Sequence, residues 1–231
     1  MKHIAIVLAA GSGKRMGSDC PKQFIEIDGK PILYYCLKTF DESFMDEIIV
    51  VTRESDIEYV SKEIVKKYSI NKVTEVIAGG SERYDSVYNG LCHIEDSDSL
   101  VYIHDGARAF VSDEVLNRTK EALKEHKACV VCVPSKDTIK VSDADLNVSD
   151  TPDRATLWCA QTPQAFSYDV IMSAFTKMYK ESDGTKGVTD DASVVEKFSD
   201  VKVKIVEGEY TNIKITTPED LALGKMILGL N

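Results

Sequence analysis

His3-Ile4-Ala5-Ile6-Val7-Leu8-Ala9-Ala10-Gly11-Ser12-Gly13-Lys14-Arg15-Met16-Gly17 decides how the rest of the chain is read. Residues 3–8 form a continuous apolar run, the pattern of a strand buried on both faces. The run ends in a loop of small residues carrying Lys14 and Arg15. A third glycine at position 16 would complete a dinucleotide fingerprint, but the chain has Met16. A Walker A loop would need Gly-Lys-Ser/Thr after four intervening residues, and that is missing too. What remains is a strand feeding a loop whose backbone N–H groups can approach phosphate oxygens, with Lys14, Arg15 and Lys22 beside it to neutralise a polyphosphate.

Strand-like and helix-like patterns alternate outward from this point. A helix is expected from Pro31, a favoured first helical position. The apolar runs at 47–51, 72–77, 99–104 and 128–133 read as strands, with 201–206 and 212–216 closing the series. Helical spacing predicts helices over 55–68, from Ser81, over 113–126, 168–180 and 189–197, and from Pro218. This rhythm predicts one α/β domain over 1–231, built on a doubly wound, largely parallel twisted sheet with its ligands at the carboxyl ends of the strands. Residues 135–158 break the rhythm. Two short extended pieces around a polar turn read as a projecting β-hairpin arm. A lone hairpin is marginally stable, and this one carries Leu157 and Trp158. Cover from a second copy predicts a homodimer; folding back onto its own domain is the other reading.

The chain has 231 residues and a formal net charge of -10, with 43% apolar and 29% charged residues. That balance argues against nucleic acid as a partner, which requires a net basic face. No stretch approaches the roughly 20 apolar residues of a membrane span, so a soluble, cytoplasmic protein is expected. An acidic protein that handles anions must gather its cations in one pocket. Cys129 and Cys132, in the strand-like run 128–133, face opposite sides of a strand. They read as buried reduced thiols rather than a metal or disulfide pair. Asp105 follows the strand at 99–104, a position that suits a hard oxygen ligand for Mg²⁺. His104 reads as a structural residue, because a phosphate nucleophile is already ionised and needs no base.

The opening LAAGSGKRMG, followed by CPKQF, resembles the sugar-phosphate nucleotidyltransferases, and in particular the 2-C-methyl-D-erythritol 4-phosphate cytidylyltransferase family. GGSERYDSV (79–87), HDGAR (104–108), DTIK (137–140), DTPDR (150–154), QTPQAF (161–166), TDDAS (189–193) and NIKITTPEDL (212–221) continue the likeness in order. The resemblance implies a Rossmann-like nucleotidyltransferase fold and transfer of CMP from CTP to a small polyol phosphate with Mg²⁺ as cofactor. It implies Arg15, Lys22 and Lys214 as the catalytic cations. Ala9, Ala10, Gly11, Gly13, Gly80, Arg83, Ser86, Asp105 and Arg108 would line the nucleotide site, with Asp105 also the metal ligand. Arg108 is open between a nucleotide contact and a buttress for its loop. Thr138 and Arg154, on the arm of a partner subunit, and Thr189 would hold the acceptor.

Methylerythritol 4-phosphate is the expected acceptor. A ribitol 5-phosphate cytidylyltransferase and a catalytically silent nucleotide-binding protein are the alternatives. Two departures stand out from the family pattern. Gly106 and Ala109 replace an alanine and a proline and are expected to loosen the loop. Thr211 stands where an acidic residue often precedes NIK.

Overall fold

The computed structural model describes residues 1–11 and 21–230. Gly13, Lys14 and Arg15 therefore lie outside the described residues. In chain order the elements are β1 (His3–Leu8), β2 (Glu26–Ile27), β3 (Lys30–Pro31), α1 (Ile32–Glu42) and β4 (Glu47–Thr52). There follow α2 (Ile57–Tyr59), β5 (Val73–Ala78), α3 (Arg83–Cys92), β6 (Leu100–Asp105), α4 (Asp113–Ala122) and β7 (Ala128–Pro134). The arm contributes β8 (Val141–Ser142) and β9 (Val148–Asp150). The chain ends with β10 (Trp158–Ser167), α5 (Tyr168–Lys180), α6 (Asp191–Phe198), β11 (Lys204–Glu207) and α7 (Pro218–Ile227).

Seven strands form one sheet in the order β11-β7-β10-β6-β1-β4-β5. β1 pairs in parallel with β4 and β6, β4 with β5, and β11 with β7. β10 alone runs antiparallel, wedged between β6 and β7. The unbroken apolar runs follow from burial on both faces. Ala5 and Val7 of β1 pack on one side with α1 and α4, while Ile4 and Ile6 pack on the other with α3, α5 and α6. Cys129 and Cys132 go to different clusters in the same way.

Helix starts are marked by local chemistry. Glu82 and Asp85 form a reciprocal capping box on α3, as Asp190 and Ser193 do on α6 and Thr217 and Asp220 on α7. Each satisfies N–H groups that a helix leaves unpaired in its first turn. Pro218 supplies the preset first position of α7.

Three elements differ from the sequence reading. The predicted helix over 55–68 starts as a 3₁₀ turn at Glu54–Asp56 and passes through α2 into a π-helical stretch, Val60–Lys66. Residues 212–216, expected as a strand, join no sheet. The alternating apolar residues, Ile213 and Ile215, lie instead on an irregular segment held by the fully buried Asn212 and Ile215. β10 was not anticipated because Gln161-Thr162-Pro163-Gln164 interrupts its apolar pattern. Its register slips between Ala160 and Gln164, with the Thr162–Pro163 peptide cis. A bulge is where a strand accommodates proline's missing N–H. Trp158, read as the end of the arm, pairs with Pro134 in the main sheet.

A cation-walled candidate active site at the carboxyl ends of the strands

The ends of β1 and β6 and the loop after β5 enclose a cleft of about 380 Å³, a size suited to a small-molecule ligand. Its floor is the turn from Leu8 to Gly11. Ala9 donates its N–H to Val51 at 2.7 Å, and its carbonyl accepts from the buried Gln23 amide at 2.6 Å. Gln23 sits in the short 3₁₀ turn Lys22–Phe24, which sets Lys22 on the cleft wall.

Gly79 and Gly80 form the opposite wall and pack tightly against the first turn of α3. A Cβ at Gly79 would meet Ser86 Oγ at 2.6 Å, and one at Gly80 would meet Asp85 Cβ at 2.2 Å. Only glycine permits that approach. The Ser86 hydroxyl accepts from the Gly80 N–H at 3.1 Å and donates to the Glu82 carbonyl at 3.2 Å. It therefore shapes this wall and keeps one lone pair for a ligand.

Asp105, at the last position of β6, organises the charge. Lys214 Nζ lies 2.7 Å from its Oδ2 and Arg83 Nε 3.3 Å from its Oδ1. Burial works against the ionised carboxyl, yet Arg83 and Lys214 hold it well below the usual carboxylate range. Arg83 turns its other edge to Asp191, with Nη1–Oδ1 at 2.9 Å and Nη2–Oδ2 at 2.8 Å.

Lys214 reaches the cleft because its irregular segment is pinned. Ile215 donates its N–H to the Ala107 carbonyl at 2.8 Å. The buried Asn212 amide donates to the Thr162 carbonyl at 2.8 Å, and Arg108 donates to the Asn212 carbonyl at 2.8 Å. Arg108 thus braces the Lys214 segment from behind rather than lining the cleft. The loop that carries both departures is tied by backbone hydrogen bonds. Gly106 donates to Leu8 and Arg108 to Asp105, each at 2.8 Å. Ala109 is buried in an apolar cluster with Ile27, Ile32 and Ile215.

These features match proteins already known. The family model for 2-C-methyl-D-erythritol 4-phosphate cytidylyltransferase (IspD) matches residues 3–230. The chain belongs to this cytidylyltransferase family. A protein of that name from Lachnospira eligens is 51% identical over 227 residues, covering 98% of this chain and 99% of the relative. One from Lachnoclostridium phytofermentans is 48% identical over 227 residues, with 98% and 96% covered. The crystal structure of 4-diphosphocytidyl-2C-methyl-D-erythritol synthase from Anaerococcus prevotii superposes with a TM-score of 0.85 at 37% identity, covering 99% of this chain and 98% of that one.

Within this cytidylyltransferase, His104 has both ring nitrogens engaged, Nδ1 with the Thr162 hydroxyl and Nε2 with the Arg108 carbonyl, each at 3.0 Å. The carbonyl can only accept, so Nε2 carries the proton and Nδ1 accepts. Burial lowers its pKa to about 4, so it stays neutral. Among the described residues, no three of His, Cys, Asp and Glu gather as a metal cage. Asp105 is the carboxylate that faces the cleft, paired with Lys214 and Arg83, whereas the Glu82 side chain caps α3. One carboxylate suits a Mg²⁺ ion held chiefly by substrate phosphates and water.

Thr138, Arg154 and Thr189 do not line the cleft. All three are exposed in the single chain. Arg154 donates to the Lys136 carbonyl at 3.3 Å at the arm's root, and the Thr189 N–H donates to Ser193 Oγ. Sequence reasoning missed Asp191, Asn212 and Thr162 as parts of the site's framework. Each lies in a recognised block, but nothing in the pattern shows which side chain a buried polar group will meet. No helix among the described residues is long and apolar enough to cross a membrane.

Proposed function

We propose that this chain transfers CMP from CTP to 2-C-methyl-D-erythritol 4-phosphate, releasing pyrophosphate, as a Mg²⁺-dependent cytoplasmic homodimer. The observation that carries this reading is the seating of Arg83 and Lys214 on Asp105 in a cleft that also presents Lys22. In the reaction, an acceptor phosphate oxygen attacks the α-phosphorus of CTP, and the bond from that phosphorus to the pyrophosphate oxygen breaks. Two anions must meet, so catalysis is positioning and charge neutralisation. Lys22 and Lys214 offset the charge on the reacting phosphates, with Arg15 assigned to the triphosphate. The ionised acceptor phosphate needs no base, in keeping with a neutral His104 whose nitrogens are both occupied.

Ala9, Ala10, Gly11, Gly13 and Gly80 present backbone to the nucleotide, while Ser86 meets the base and Arg83 lines the wall. Asp105 would be the protein's ligand to Mg²⁺, which when bound neutralises triphosphate charge. Thr138 and Arg154 of a second copy's arm, with Thr189, hold the acceptor; their exposure in one chain is the reason to bring in that copy. The five described cysteines are free, as suits a reducing compartment.

The test is pyrophosphate release with CTP and Mg²⁺, comparing methylerythritol 4-phosphate with ribitol 5-phosphate. Release with the first alone is expected. Release with ribitol phosphate alone would keep the mechanism and replace the acceptor. Tight CTP binding with no release would make the chain a nucleotide-binding protein.

A further inference from the structure

Asp191 has no part in the reaction as described, yet at 1% exposure it is the most deeply buried carboxylate among the described residues. It opens α6, and both its oxygens are taken by the Arg83 guanidinium. The remaining Nε of Arg83 faces Asp105. A planar fork held on two edges by two carboxylates has almost no freedom left to turn.

The position of Asp191 is itself set by the sheet. Ala192 donates its N–H to Gln164 Oε1, and Gln164 Nε2 donates to Asp190 Oδ2, both at 2.8 Å. Gln164 lies on β10 and is buried. A rigid chain of contacts thus runs from the central sheet through Gln164 and α6 to one side chain on the cleft wall.

We infer that Asp191 is a positioning residue, which holds Arg83 in place and keeps it from closing two-toothed on Asp105. Asp105 is the other carboxylate that Arg83 touches, and a freed fork favours bidentate pairing. That closure would take the oxygen of Asp105 that Lys214 uses and narrow the wall next to Gly80. The pair also balances charge, since Arg83 and Lys214 face Asp105 and Asp191. This inference rests on reading the cleft as the nucleotide site.

The experiment measures CTP–Mg²⁺ binding by equilibrium dialysis, with steady-state kinetics and melting, on the full chain, Asp191→Asn, Arg83→Met and the double variant. Asp191→Asn should raise Kd and KM for CTP roughly 10–100-fold, by analogy with groups that orient metal ligands, with a much smaller change in kcat. The double variant should bind CTP no more weakly than Arg83→Met alone. A lowered melting temperature with wild-type CTP affinity would overturn the inference and leave Asp191 a staple between α3 and α6. Multiplied effects in the double variant would overturn it as well. Should Asp191→Asn fail to fold, the double variant, which leaves no buried charge unpaired, carries the comparison with Arg83→Met. Wild-type protein that does not bind CTP would sink the cleft reading and this inference together, an outcome distinct from loss of the Asp191 effect alone.

Discussion

Lys214 Nζ rests 2.7 Å from Asp105 Oδ2, so a lysine on an irregular segment is seated on a carboxylate at the end of a central strand. The proposed reaction asks this lysine to meet a phosphate, and the carboxylate holds it ready without burying it. Lys214→Ala should lower kcat by roughly 10²–10³, as loss of one oxyanion-stabilising donor does, with little change in melting. Asp105→Asn should release Lys214, while Asp191 still holds Arg83, and raise the Mg²⁺ concentration needed for half-maximal pyrophosphate release. An unchanged Mg²⁺ dependence would remove Asp105 from metal binding.

Acid should weaken the fold in two stages. His104 is held neutral with a pKa of about 4 against an ordinary 6.5, so the unfolded chain takes up its proton first. Its contribution is fully present above pH 6.5 and is lost as pH falls toward 4, on the order of 3 kcal/mol in all. The depressed carboxyl of Asp105 acts below that window, stabilising above its ordinary value of 3.8 and losing its effect as pH falls further. Urea midpoints measured between pH 7 and 4 should fall for the wild type and fall less for His104→Gln. Equal slopes would show that other groups govern this range.

Two cleft glycines should respond differently to alanine. At Gly80 the new Cβ meets Asp85 Cβ at 2.2 Å, whereas at Gly11 it meets nothing within 4 Å among the described residues. Gly80→Ala should cost about 1–3 kcal/mol, the range for overpacking, and weaken CTP binding as the wall shifts. Gly11→Ala should leave melting unchanged. Calorimetric melting of the two variants decides the point.

The arm exposes Leu146 at 86% and Val148 at 63%. Leu146→Asp with Val148→Asp should shift sedimentation to the single-chain mass. The same variant should keep CTP binding and lose turnover of the acceptor. A monomeric wild type with full activity would remove the second copy from the site.

Much of this architecture is legible in the sequence because burial on both faces leaves an unmistakable trace. The runs behind β1, β4, β6 and β7 are apolar at nearly every position, and capping residues mark the starts of α3, α4, α6 and α7. β10 escapes because its buried stretch carries Gln161, Thr162 and Gln164, whose partners come from distant segments. The segment at 212–216 misleads for the opposite reason, since an irregular path fixed by Asn212 and Ile215 mimics strand alternation. Asp105 and Lys214 are legible as charges in blocks. That Arg83 faces Asp191 rather than solvent is a tertiary fact, joining residues 108 positions apart.

The place of β10 has a consequence for biosynthesis. It separates β6 from β7, yet emerges from the ribosome after both. Until residue 167 has been made, β6 presents an open, apolar edge and β7 has no partner on either side, since β11 is made later still. Such edges pair readily with other chains. The long-range closure required, Gln164 against Ile103 and Val130, belongs to the slow class of folding events. The nascent chain is therefore most exposed to aggregation just before the strand that links β6 to β7 arrives.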